Sequence, residues 1–360
     1  MPPDPADRSA IGRGARSIPT GRFEKIRCEV DVEHLSEDDA LAPRRLATEF
    51  LPDVAQSIVS ENDSPDIPFR YSINPYRGCE HGCAYCYARP THEYLGLSGG
   101  LDFETKIFVK HQAPQLLREW LMRGGGGGER VTMSGVTDCY QPVERELQIT
   151  RRCLEVLAEA GQAVTIVTKN ALVARDIDLL APLAARRLIQ VRISLTTLDA
   201  ELARSMEPRT STPAAKLRAI RQLVDAGIPT GILMAPIIPG LTDSQIPQVL
   251  EAAHQAGAQS ASYTMLRLPG VVESVFLQWL ESERPRDASR ILAGVKAVRG
   301  GKLYDARFGK RMKGEGPVAE QIRATFKVFA RKYGLHQPLA ALDEGQFEPP
   351  EKDPRQKRLF

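Results

Sequence analysis

The sequence predicts an α/β protein whose parallel sheet is closed or partly closed into a barrel, with helices packed outside. Two observations predict it. Short runs rich in β-branched residues recur at 131–136, 164–168, 189–195, 231–238 and 260–266. Between them lie amphipathic helical stretches, and the strands follow one another at about the length of one βα unit. The pattern starts near residue 71, and six such units in succession favour a barrel over an open sheet.

The elements carry their own signals. Residues 212–227 read TPAAKLRAIRQLVDAG, with Thr212 as N-cap, Pro213 at the first helical position, Gly227 beyond the end, and an apolar stripe of Leu217, Ile220 and Val224. Ile246, Val249, Leu250 and Ala253 share one face of a helix over 243–256. Ile149, Cys153, Val156 and Leu157 share another over 147–160, which makes Cys153 a small core residue. In the run 189–195, Ile189, Val191, Ile193 and Leu195 face the helices. Gln190, Arg192, Ser194 and Thr196 face the barrel interior, where polar groups need partners. The run 164–168 leads into Lys169, which points inward at the top of the barrel if Val164 and Ile166 face the helices. A solvated surface lysine is the alternative.

The chain divides into a disordered N-terminus (1–20), an N-terminal extension packed on the barrel (21–69), the barrel (70–270), a C-terminal helical extension (271–344) and a polar tail (345–360). The extension holds apolar patches around 23–32 and 50–59, read as short strands or turns, and Cys28, read as a half-buried strand thiol. The glycine run 124–128 lacks the G-K-[ST] of a phosphate loop and reads as a flexible connection. A composition of 42% hydrophobic and 26% charged residues is that of a soluble globular protein. The net charge of +3 does not by itself argue for a nucleic-acid partner. No apolar run approaches the length of a membrane span, and no secretory signal is seen. The few, clustered cysteines fit a reducing cytoplasm.

The chemistry concentrates in 71–94, YSINPYRGCEHGCAYCYARPTHEY, which holds Cys79, Cys83 and Cys86 in a C-x3-C-x2-C spacing with Tyr85 before the last cysteine. Thiolates so close in sequence suit an iron–sulfur cluster or zinc. Three cysteines leave one iron of a cubane open to a substrate or cofactor. A zinc site completed by His81 or His92 is the alternative, although no second cysteine or histidine couple is present.

At these residues the chain resembles the radical S-adenosylmethionine superfamily, whose signature is this CxxxCxΦC loop. The resemblance covers about 70–270. It implies a partial (β/α)6, TIM-like barrel with the loop after its first strand, and a [4Fe-4S] cluster on Cys79, Cys83 and Cys86. It also implies S-adenosylmethionine on the open iron beside Tyr85, cleaved to a 5′-deoxyadenosyl radical. Ser134, Asp138, Lys169, Ser194 and Thr196 are the further cofactor-binding candidates, with Lys169 paired to the cofactor carboxylate. The stretch 235–243, APIIPGLTD, resembles the loop under the adenine. A reductant such as flavodoxin or ferredoxin is the implied partner.

Residues 134–144 (SGVTDCYQPVE) and 207–221 (EPRTSTPAAKLRAIR), with 86–89 and 91–94, resemble bacterial enzymes related to spore photoproduct lyase. That resemblance implies hydrogen abstraction from a DNA lesion and suggests Cys139 and Tyr140 as the catalytic pair. Cys139 follows the Thr-Asp element, whereas the lyase's donor precedes it, at the place of Gly135. A packed loop thiol or a substrate contact are the other readings of Cys139. Segment 302–313 offers Lys302, Arg307, Lys310, Arg311 and Lys313 with Tyr304 and Phe308 interleaved, either as a nucleic-acid surface or as a solvated turn. RNA, a peptide or a metabolite are the alternative substrates, and a non-catalytic metal-binding regulator is the alternative function.

Overall fold

Residues with branched β-carbons build the strands, because they pack well on a pleated surface. The computed structural model describes residues 12–23 and 46–351. Its strands are β1 (Glu49–Pro52), β2 (Val59–Glu61), β3 (Tyr71–Ile73), β4 (Tyr76–Arg77), β5 (Lys106–Val109), β6 (Val131–Met133), β7 (Val164–Thr168), β8 (Ile189–Ser194), β9 (Thr230–Ile237) and β10 (Ser260–Met265). The main sheet has the order β10-β9-β8-β7-β6-β3-β2. All its pairs are parallel except β2 with β3. Its edges do not pair with each other, so the six parallel strands form a partial barrel. A small second sheet pairs β5 with β1 and β4.

The longer helices are α1 (Ala113–Met122), α2 (Ile149–Glu159), α3 (Ile177–Ala185), α4 (Ala200–Met206), α5 (Pro213–Asp225), α6 (Ile246–Gln255), α7 (Val271–Glu283), α8 (Ala288–Ala297) and α9 (Pro317–Lys332). Thr212 caps α5 by accepting from the Ala215 amide at 3.3 Å, and Gly227 follows at φ +75°. The inner face of α5 is rotated from the expected stripe: Lys216, Ala219, Ile220 and Leu223 are buried, while Leu217 and Val224 lie at its margin. Burial of Lys216 is possible because it has an acidic partner, described below. On α2, Ile149, Cys153, Val156 and Leu157 are all buried, as the periodicity predicts.

The helical extension covers the otherwise open edge of β10. The Ala261 amide donates to the Leu335 carbonyl and the Met265 amide to that of Met312, both at 2.8 Å. Tyr263 and Phe326 meet with ring centroids 4.7 Å apart. At the other end of the barrel, Gln190 donates to the Ala340 carbonyl at 2.7 Å, and the Glu348 amide to that of Ala160 at 3.0 Å.

Two of the expected boundaries change. Residues 12–20, assigned to a disordered terminus, are held against the barrel through their backbone: the Leu101 amide donates to the Ser17 carbonyl, and the Ala15 amide to the Glu104 carboxylate. A Gly/Arg-rich composition reads as disorder because such anchoring leaves no apolar pattern. Residues 345–348, assigned to the polar tail, pack on the barrel floor. The glycine run joins α1 to β6 as a turn packed on Trp120. Cys28 lies outside the described residues.

Ile193, in the central strand β8, is fully buried. Ile193→Ala is expected to lower unfolding free energy by about 2–5 kcal/mol in urea titration of the metal-free protein.

Candidate active site

The parallel strands end at one edge, and the cysteine loop lies there, directly after β3 and β4. Two glycines shape it. Gly82 has φ +63°, and a Cβ there would meet Glu104 Oε2 at 2.6 Å. Gly78, at φ +80°, is packed against Phe103, Lys106 and Ile107. The Cys79 amide donates to the Phe103 carbonyl at 2.9 Å and the Ala84 amide to that of Met206 at 3.0 Å. The Arg89 guanidinium donates to the Cys83 carbonyl from Nη2 (2.8 Å) and Nε (3.2 Å). The same Nη2 pairs with Glu104 at 2.5 Å, and neither residue is exposed. Cys79 and Cys83 are buried, and Cys86 is partly so.

Next to the loop is a buried polar cluster at the mouth of the barrel. Lys169 Nζ donates to Ser194 Oγ (2.7 Å), Thr196 Oγ1 (3.3 Å), the Ala235 carbonyl (2.9 Å) and Glu207 Oε1 (3.2 Å). Glu207 also pairs with Lys216 at 2.8 Å and accepts from Thr196 at 2.6 Å and from the Tyr85 hydroxyl. Burial opposes ionisation of Glu207, yet Lys169 and Lys216 together hold its carboxyl well below the usual carboxylate range. Burial likewise lowers the Lys216 ammonium pKa, opposed by Glu207. Lys169 Nζ lies 5.4 Å from the centre of the Tyr85 ring. The structure therefore brings together Tyr85, Lys169, Ser194 and Thr196. Sequence reasoning missed Glu207 and Lys216, because one reads as a solvated acid and the other as an outward lysine of α5.

Asp138 organises the neighbouring loop. It accepts from Thr168 Oγ1 (2.7 Å) and the Lys169 amide (2.7 Å), and its Oδ2 lies 3.4 Å from His81 Nδ1. Ser134, at φ +75°, accepts from the Cys139 amide at 2.7 Å. Cys139 itself is fully buried in the main core. Burial is the largest cause holding its thiol well above the usual range, with Asp138 next. Tyr140 is also buried and donates to Asp176 at 3.0 Å. Neither joins the Lys169–Glu207 cluster.

Among the described residues, no three His, Cys, Asp or Glu side chains converge on a point that could hold a single metal ion. His92 Nε2 bonds the Lys106 carbonyl at 3.1 Å while its buried Nδ1 has no partner among the described residues, and His81 is held between Asn170 and Asp138. The donor set fits a polynuclear cluster better: each sulfur then binds a different iron, which needs wider spacing than one tetrahedral zinc. Burial, Asp138 and the neighbouring thiols all raise the Cys79 pKa, so ligation there must release the thiol proton.

A partial six-stranded barrel with a three-cysteine loop beyond its first strand defines the class. The family model described as "Radical SAM superfamily" matches residues 73–253, and the chain belongs to that superfamily. Membership brings its cofactors, a [4Fe-4S] cluster and S-adenosylmethionine. An uncharacterised protein of Mycobacterium tuberculosis is 38% identical over 226 residues, which are 62% of this chain and 66% of that one. The match thus spans just under two thirds of that relative. An uncharacterised protein of Methanocaldococcus jannaschii is 29% identical over 48% of this chain and 62% of its own. Among solved structures, spore photoproduct lyase complexed with dinucleoside spore photoproduct superposes with a TM-score of 0.57 at 16% identity, covering 79% of both chains. A variant of that lyase with bound S-adenosylmethionine and the same dinucleoside gives 0.55 at 16% identity, covering 79% of this chain and 78% of that one. The likeness establishes a shared fold.

Burial lowers the pKa of His92 to about 4, so the folded protein keeps it neutral where the unfolded chain, near 6.5, takes up a proton. Unfolding free energy is therefore expected to fall as pH drops from about 6.5 to 4, by on the order of 3 kcal/mol from this residue. Glu207 acts in the same direction below its unfolded value of 4.5, because the unfolded chain binds the proton that the folded site refuses. Urea titrations at pH 7, 5.5 and 4.5 check the histidine part, and His92→Phe should remove its own share of the slope, leaving that of His81, whose pKa burial also lowers to about 4.

Proposed function

We propose that the chain is a radical S-adenosylmethionine enzyme whose cluster is held by Cys79, Cys83 and Cys86. When bound, the cluster supplies an electron that cleaves the sulfonium of S-adenosylmethionine to give a 5′-deoxyadenosyl radical for hydrogen abstraction. The observation that carries this reading is the junction of the cysteine loop with the buried Lys169–Glu207 cluster through Tyr85. Lys169 can pair with the cofactor carboxylate, with Ser194 and Thr196 as hydroxyl partners, while Glu207 and Lys216 keep the region electrically balanced. Asp138 orients the start of the loop after β7. A small flavin or iron–sulfur protein such as flavodoxin or ferredoxin is the proposed reductant.

For the substrate we favour a DNA lesion, supported by residues 134–144 and 207–221 and by the fold shared with spore photoproduct lyase. The basic segment lends this little support. Arg307 pairs with Asp305 and Glu315, Lys310 with Glu315, and Arg311 with Asp66. The burial of Cys139 and Tyr140 supports packing roles, so the radical is not routed through them here.

Anaerobic protein reconstituted with iron and sulfide, then given dithionite and S-adenosylmethionine, is expected to release 5′-deoxyadenosine, measured by liquid chromatography. Cys86→Ala should abolish it. Cys139→Ala should keep it while losing about 1–2 kcal/mol of stability. Loss of lesion turnover with 5′-deoxyadenosine release retained, in a folded, cluster-loaded Cys139→Ala protein, would return that thiol to the radical path. Disappearance of added dinucleoside spore photoproduct is the substrate test, and its persistence during active cleavage would exclude that lesion.

A further inference from the structure

We propose that residues 12–17 form an intramolecular strap that fixes the cysteine loop and shields it from solvent, acting through the buried Arg89–Glu104 pair. The contact is backbone against backbone. A Cβ at Gly14 would lie 1.7 Å from the Gly82 carbonyl oxygen and 3.0 Å from the Ala84 amide, so only glycine permits the approach. Both oxygens of Glu104 are committed to this junction. Oε2 accepts from the Gly14 amide at 3.0 Å, and Oε1 accepts from the Ala15 amide at 2.7 Å and from Arg89 at 2.5 Å. Arg89 in turn grips the Cys83 carbonyl. One unexposed carboxylate therefore joins the strap to the middle cysteine of the loop.

The strap is anchored at both ends. Arg13 donates to the Glu104 carbonyl at 2.7 Å and to the Leu46 carbonyl and Thr48 hydroxyl at 2.9 Å. Ser17 accepts from the Leu101 amide at 3.1 Å and donates to Gln278 at 2.8 Å, and Arg16 pairs with Glu283. Its apolar share is small: Ala15 packs with Leu101 and Val275, apart from the main core. Lifting the strap should therefore open the loop without unfolding the barrel. Solvent access and nearby hydrogen bonds tune both the potential and the lifetime of an iron–sulfur cluster, which gives such a cover its use.

The inference rests on the cluster reading for its purpose, but its test does not. In metal-free protein, alkylation of individual cysteines by iodoacetamide is followed by peptide mass spectrometry. Gly14→Ala is expected to accelerate labelling of Cys79, Cys83 and Cys86 by about tenfold, the effect of losing one charge-assisted hydrogen bond. Buried Cys139 and Cys153 should stay unlabelled and so report that the core is intact. Arg13→Ala, a milder change, should act in the same direction. Unchanged labelling while hydrogen exchange shows the Ala15 amide released would overturn the proposal. In cluster-loaded protein the same variants should bleach faster in air. A wild-type chain that assembles no cluster refutes the function proposed above, while the alkylation result still decides on the strap.

Discussion

The Glu207 carboxylate lies between the ammonium groups of Lys169 and Lys216 with almost no exposure, and five segments meet on it. It stands at the end of α4. Its partners come from the start of the loop after β7, the end of β8, α5 and, through the Tyr85 hydroxyl, the cysteine loop. Buried ions are costly unless paired, and removing one partner of such a pair typically costs about 3–5 kcal/mol. The mouth of the barrel therefore has one charge arrangement that satisfies all its members. This arrangement holds Lys169 beside two hydroxyls and a carbonyl, with its charge balanced in advance.

A second buried pair, Arg89 with Glu104, does for the cysteine loop what Glu207 does for the strand ends. The loop has little regular structure of its own. Its shape comes from Gly78 and Gly82 in left-handed conformations, from the Cys79 and Ala84 amides bonded to the distant Phe103 and Met206 carbonyls, and from the Cys83 carbonyl held by Arg89. The two pairs share no member.

Much of the barrel was legible in the sequence, since β-branched runs and capped amphipathic helices report local preferences directly. The runs at 164–168 and 260–266 agree with β7 and β10 to within a residue. Lys169, Ser194 and Thr196 were legible as inward positions because strand alternation fixes which face a side chain takes. Lys216 was not, since a lysine among apolar residues reads as the outer face of a helix unless its partner, nine residues earlier, is known. Residues 12–17 were illegible for a related reason. Their anchoring uses backbone amides and a glycine, and neither leaves a periodic signal. The basic segment 302–313 left a nucleic-acid surface open beside a solvated turn because Asp66 and Glu315, which neutralise much of it, lie outside the segment.

In the proposed function, the open side of a three-cysteine cluster and the Lys169 pocket bind one S-adenosylmethionine between them. Electron paramagnetic resonance of the dithionite-reduced protein tests it without a substrate. Adding S-adenosylmethionine should shift the g values of the wild-type cluster, and Lys169→Met should need a higher concentration for the same shift. Identical spectra with and without saturating S-adenosylmethionine would rule out such shared binding.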